Sequence, residues 1–170
     1  MSRRGISMKA NKGFTLIELI VGMIVFSIAV VLLSSVLLPQ SDHAANTLQR
    51  VRATELAQSV LNEIWGKGFD DNTPINGVPA CGSPAGVACG SNIGPDSGES
   101  RNDFDDVDDY DGLNQDSLML NSTVTYASNY PNYQFLVSVS YIDANHKLIA
   151  VVVTTPAGEP IAFNAVRSNY

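Results

Sequence analysis

Cysteine, histidine and positive charge are scarce in this chain: its 170 residues hold two Cys, two His and one Trp, and ten Lys and Arg stand against seventeen Asp and Glu. Each shortage excludes a class of chemistry. Cys81 and Cys89 have no second cysteine pair and no paired histidine nearby, so a zinc ligand set is missing. His43 follows an apolar run and His146 lies in a turn-like Asp-Ala-Asn-His segment, so neither is placed beside a nucleophile. No G-x-S-x-G, Walker loop or H-E-x-x-H is present. The expectation is no enzyme and no catalytic residue. Beyond residue 12 the basic residues are Arg50, Arg52, Lys67, Arg101, Lys147 and Arg167, scattered apart from the first two. Nucleic acid and anionic lipid are bound through Lys and Arg clusters, so neither is expected as a partner of this acidic portion.

What the chain does have is one long apolar run, Phe14 to Leu38, with a single carboxylate inside it, Glu18. A helix of about 20 residues crosses a bilayer core, so the run is long enough. An ionised carboxylate there costs about 2.5–3.5 kcal/mol on insertion scales, so a chain that keeps one has a use for it. Before the run lie Arg3, Arg4, Lys9 and Lys12 with no acidic residue, and no basic residue follows within the next ten. By the positive-inside rule the amino terminus stays in the cytoplasm and the rest is sent outward. A secretory signal is cut after its apolar region; here the small residue, Gly13, precedes it.

Lys12-Gly13-Phe14-Thr15-Leu16-Ile17-Glu18 resembles the class III signal of type IV pilins and pseudopilins. The resemblance implies a leader, residues 1–13, removed by a prepilin peptidase between Gly13 and Phe14, and methylation of the new terminal amine on Phe14. It also implies that Glu18 neutralises the terminal amine of a neighbouring subunit during assembly on an inner-membrane platform. Cleavage would retain the apolar helix, residues 14–38, and shift the side-chain charge from −7 to −11 by removing four cations.

Past the span, Pro39 is expected to kink or briefly break the helix, since it lacks a donor and clashes with the preceding turn. From Asp42 to Trp65 there is no Pro or Gly, and Ala53, Leu56, Ala57, Val60, Leu61 and Ile64 recur at spacings of three and four. This predicts an amphipathic second half over residues 39–66, stopped by Gly66 and Gly68. Residues 67–170 then form the head, with 67–116 rich in Gly, Pro, Asn, Ser and Asp and reading as loop. Two staples are expected within it. Cys81 and Cys89, both in the outward part and separated by a flexible segment, are expected to form a disulfide. Asp103, Asp105, Asp106, Asp108, Asp109 and Asp111 put six carboxylates in nine residues, which suits either a calcium site or a solvated acidic loop. No EF-hand spacing is present. Phe104, Val107 and Tyr110 recur every third residue, which would seat one helical turn with the aspartates outward.

From Ser117 the pattern has period two: Met119 to Tyr126 reads as a short first strand or a turn followed by one, and strands are expected at Tyr133 to Ile142, Lys147 to Thr155 and Pro160 to Arg167, joined by turns. The predicted fold is α+β, a ladle of one long amino-terminal helix packed on an antiparallel sheet of three or four strands over 117–170. That order agrees with the pilin fold. Asp106 to Leu113 and the carboxyl end Ala165 to Tyr170 resemble the minor-pilin branch of mannose-sensitive haemagglutinin (MSHA) type IV pili, which implies a low-copy subunit that initiates or tips an adhesive filament, with other pilins as partners. A minor pseudopilin of a type II secretion system shares the leader, helix and sheet. A membrane-tethered calcium- or ligand-binding protein shares the anchor but gives Glu18 no use.

Overall fold

The computed structural model describes residues 13–74 and 76–169, with backbone alone at 38, 39, 41 and 42. Its elements are α1 (Leu16–Trp65), a 3-10 turn (Asp108–Tyr110), α2 (Tyr126–Asn129), β1 (Gln134–Asp143), β2 (His146–Thr154) and β3 (Pro160–Ser168). A long apolar helix followed by a three-stranded antiparallel sheet is the α+β, pilin-like arrangement that the sequence predicts. Two compact units divide at Ala45 and Asn46, and each is described by itself.

In the first unit, Leu16–Leu37 has a mean hydropathy of 2.9 and contains no buried residue. It is long and apolar enough to cross a membrane. Its hydroxyls are satisfied locally: Ser27 and Ser34 donate to the carbonyls of Met23 and Val30 one turn back, and Ser35 to that of Leu32. A polar side chain that bonds its own backbone adds no unpaired group to hydrocarbon. The break expected at Pro39 is absent, since helical backbone continues through it.

In the second unit the predicted stripe becomes the core. Ala53, Leu56, Ala57, Val60, Leu61 and Ile64 are all buried, and they cluster with Phe135, Val137 and Val139 of β1 and Ile149, Val151 and Val153 of β2. Ala53 and Ala57, four apart, lie on one face of the helix and are fully buried. Gly66 and Lys67 close the helix by donating to the carbonyls of Glu63 and Ile64.

The sheet order is β1-β2-β3, with Val137 opposite Val151 and Val151 opposite Phe163. Burial alternates along β1, so Phe135, Val137 and Val139 face the helix while Leu136 and Ser138 face away. Residues 117–133 are not sheet. Leu118 and Thr125 make one isolated bridge around a turn where Asn121 has φ 52°, and Thr125 Oγ1 then caps α2 by accepting from the Ser128 amide. The alternation in Met119 to Tyr126 therefore reflects Met119, packed against the core, and buried Tyr126, edge-on against Phe135 with centroids 4.9 Å apart. The outer edge of β1 is covered in part by the loop after the 3-10 turn: Gly112 donates to Val137, Val137 to Leu113, and Val139 to the Asp111 carboxylate.

Candidate functional site

Two places in the chain carry chemistry that the fold alone does not require. The first is the start of α1. Thr15 Oγ1 accepts from the Glu18 amide at 3.3 Å, and Glu18 Oε2 reaches back to the Thr15 amide at 3.5 Å. This reciprocal pair is a capping box, and its T-x-x-E signature stands in the sequence at Thr15 to Glu18. It gives Glu18 a contact inside its own chain that the sequence reading overlooked. Phe14 is 86 % exposed, and the helix surface beyond it is bare from Leu16 to Leu37. Residues 1–12 of the expected leader lie outside the described residues.

The second place is the acidic part of the head. The predicted turn is there: Phe104, Val107 and Tyr110 are buried in the core, with Phe104 and Tyr110 edge to face at 5.3 Å. Its aspartates are not all outward. Asp106, Asp108 and Asp109 are buried, whereas Asp103 and Asp105 stay exposed. Each buried one has a backbone or ionic partner. Asp106 Oδ1 accepts from the amides of Asp108 and Asp109, and Asp109 Oδ2 from those of Asp105 and Asp106. Asp111 holds Val139, and exposed Asp103 accepts from the amide and hydroxyl of Ser100. The six aspartates therefore do not converge on one point. Only Asp105 and Asp109 remain together, and Glu99 joins them.

Crowding shows in the protonation equilibria. Burial, with the charges of Asp108 and Asp109, pushes the Asp106 carboxyl up to about 8. Partial burial and a shared hydrogen bond with Asp96, reinforced by Asp105 and Asp109, raise Asp71 to about 7.

Behind this loop lies a buried cation that sequence reasoning placed among scattered surface charges. Lys147 on β2 is fully buried, donates to the Asp108 carboxylate and to the Phe69 carbonyl, and has Asp70 Oδ2 at 3.9 Å. The rings of Phe69 and Tyr141 flank its ammonium, with centroids at 4.6 and 5.2 Å. Its sequence signal was its inward register on β2 between Ile149 and the turn. A second ionic centre joins α1 to the loops: Arg101 pairs with Glu63 at 2.7 Å and reaches Tyr126 Oη, while Tyr110 donates to Glu63 at 2.6 Å.

Cys81 and Cys89 are bonded as expected. Asp70 stands close to both sulfurs, but sulfurs spent in a disulfide supply no thiolate to a metal. Asn169 ties the end of β3 to this ring by donating to the Cys81 carbonyl at 2.9 Å. His146 pairs with Asp143 in the exposed β1–β2 turn.

Residues 8–34 match the prokaryotic N-terminal methylation motif. That motif, matched over the amino-terminal stretch alone, is the kind associated with type IV pilins and pseudopilins. The exposed apolar helix and the three-stranded head agree with a membrane-anchored structural subunit of this class. No curated protein and no solved structure matches the chain.

Proposed function

We propose that this chain is the precursor of a minor pilin, a non-enzymatic structural subunit of an MSHA-like type IV pilus, nearest in character to that system's minor pilin D. The observation that carries the reading is the methylation motif joined to a 22-residue apolar helix with no cover in its own chain. Such a surface needs lipid before assembly and other subunits' helices afterwards. Prepilin peptidase cuts between Gly13 and Phe14, and Phe14 is then N-methylated. The anchored subunit keeps its amino terminus at the cytoplasmic face of the inner membrane and its head in the periplasm until it enters a surface filament. Glu18 meets the terminal amine of a neighbour, and the head, bearing the acidic loop, helps to initiate or tip an adhesive fibre. A minor pseudopilin of a secretion system is the competing reading, because the motif is common to both.

Intact mass of protein purified from expressing cells tests processing, and immunoblotting of sheared surface filaments tests destination. The expected results are a chain beginning at methylated Phe14 and its presence in the sheared fraction. A chain beginning after Leu38 would remove the pilin reading. A correctly processed chain absent from sheared filaments, with a secretion defect in its deletion strain, would select the pseudopilin.

A further inference from the structure

We propose that Asp71, Asp96, Glu99, Asp105 and Asp109 bind one divalent cation of the calcium class on the head. One carboxylate oxygen each from Glu99, Asp105 and Asp109 lies within 4.8 Å of the other two. Oxygens on opposite sides of a calcium ion are about 4.6–5.2 Å apart, so these three already fit a single ion's shell. The other two carboxylates belong to the same cluster. Asp71 lines one cavity with Asp105, and Asp96 adjoins Glu99, whose Oε2 accepts from the Asp96 amide. Free oxygens remain after the internal bonds are counted: Glu99 uses Oε2 on the Asp96 amide, and Asp109 uses Oδ2 on two amides, leaving Oε1 and Oδ1.

Among the described residues no Lys or Arg pairs with any of the five. Lys147 is held by Asp70 and Asp108, and Arg101 by Glu63. Five carboxylates from three separate loop segments, brought together without a cation, repel one another, and the fold keeps them together nonetheless.

Thr73 supplies an independent sign. It is buried at 7 % exposure, and its Oγ1 has no hydrogen-bond partner. It lines a cavity of about 260 Å³ together with Asp71 and Asp105. Gly68 lines the same cavity, and the carbonyls of Asp105, Asp70 and Thr73 stand 3.5, 3.7 and 3.8 Å from where its Cβ would be. A buried hydroxyl is costly to leave unpaired, and a hard cation beside it would give it a partner. The donors are all oxygen, which suits calcium and gives soft metals no ligand. Asp103, Asp106, Asp108 and Asp111 are committed elsewhere. Binding would tie together residues 71–73, 96–99 and 105–109, which have no helix or strand of their own apart from the 3-10 turn.

The test uses the full chain in detergent, freed of metal with a chelator, and follows thermal unfolding while calcium chloride is added. A rise in Tm of about 5 °C or more is expected once calcium exceeds Kd a hundredfold, with a smaller rise from magnesium. Glu99→Gln with Asp105→Asn should leave the metal-free Tm unchanged or higher, since repulsion is relieved, yet abolish the calcium response. Thr73→Val should keep the metal-free Tm and weaken calcium binding several-fold, while Asp103→Asn should change neither. The proposal fails if calcium causes no shift, if sodium chloride at equal ionic strength or magnesium reproduces it, or if the double variant retains it.

Discussion

Lys147 on β2 donates to the carboxylate of Asp108 in the 3-10 turn, 39 residues earlier, and both are buried. This pair fastens the loop-rich half of the head to its sheet. Taking two charges out of water is costly, and their attraction compensates only while both partners remain. Removing one partner is therefore far worse than the small net value of the pair. Lys147→Met is expected to destabilise the head by about 3–5 kcal/mol in denaturant unfolding, and adding Asp108→Asn should recover part of that loss. A change under about 0.5 kcal/mol in the single variant, the range of ordinary surface substitutions, would show that Lys147 is hydrated.

Glu18 has two candidate uses that a single substitution cannot separate. As the last residue of the capping box it needs an acceptor oxygen, which glutamine also supplies; as the partner of a neighbour's amine it needs charge. If charge is what matters, Glu18→Gln and Glu18→Ala should both be cleaved and membrane-inserted normally and both be lost from sheared filaments. Filaments that accept Gln as well as Glu but reject Ala would assign the residue to capping alone.

The Cys81–Cys89 ring closes a loop with a sequence separation of 8. The chain-entropy view gives a ring this small about 2–3 kcal/mol. Protein from the periplasmic or surface fraction should resist thiol labelling until it is reduced, and Cys81→Ser with Cys89→Ser should lower stability by about that amount. Labelling of both cysteines in native protein would refute the bond.

Burial first, then the hydrogen bond to Glu63, holds the Tyr110 phenol well above its ordinary value, and burial likewise raises Tyr126 and Tyr141. The fold favours the neutral phenol, so this contribution is complete below the unfolded pKa near 10. It is lost above that pH, by about 1.4 kcal/mol per pH unit for Tyr110. Alkaline titration should therefore show phenolate absorbance in two stages, the later one coinciding with loss of tertiary circular dichroism. Tyr110→Phe should shrink that later stage. Titration of every tyrosine together near pH 10 with the fold intact would contradict it.

The helix stripe was legible because burial of one face imposes a period, and Ala53 through Ile64 kept it without interruption. The strands from Gln134 onward were legible for the same reason. Met119 to Tyr126 misled, since a short alternation can arise from a methionine and a tyrosine packed beside a capped turn. Pro39 does not break the helix: a missing donor disturbs it locally, and the turns on either side remain helical. The capping box at Thr15 and Glu18 was present in the letters but was eclipsed by the more conspicuous placement of a charge in an apolar run.

The sequence by itself determined the elements that local rules govern: an apolar helix of membrane length, the amphipathic continuation, the three strands and the turn at Asp108. These depend on periodicity and on residues a few positions apart, and they leave their pattern in the order of the amino acids. Only the tertiary structure decided the fate of the charges. Lys147 looks like any surface lysine until β2 turns it inward onto Asp108, and Glu99, Asp105 and Asp109 look like unrelated acids until the loops bring one oxygen of each within 4.8 Å of the others. The cost of a charge depends on which distant groups share its surroundings, and that is settled by folding rather than by any neighbour in the chain.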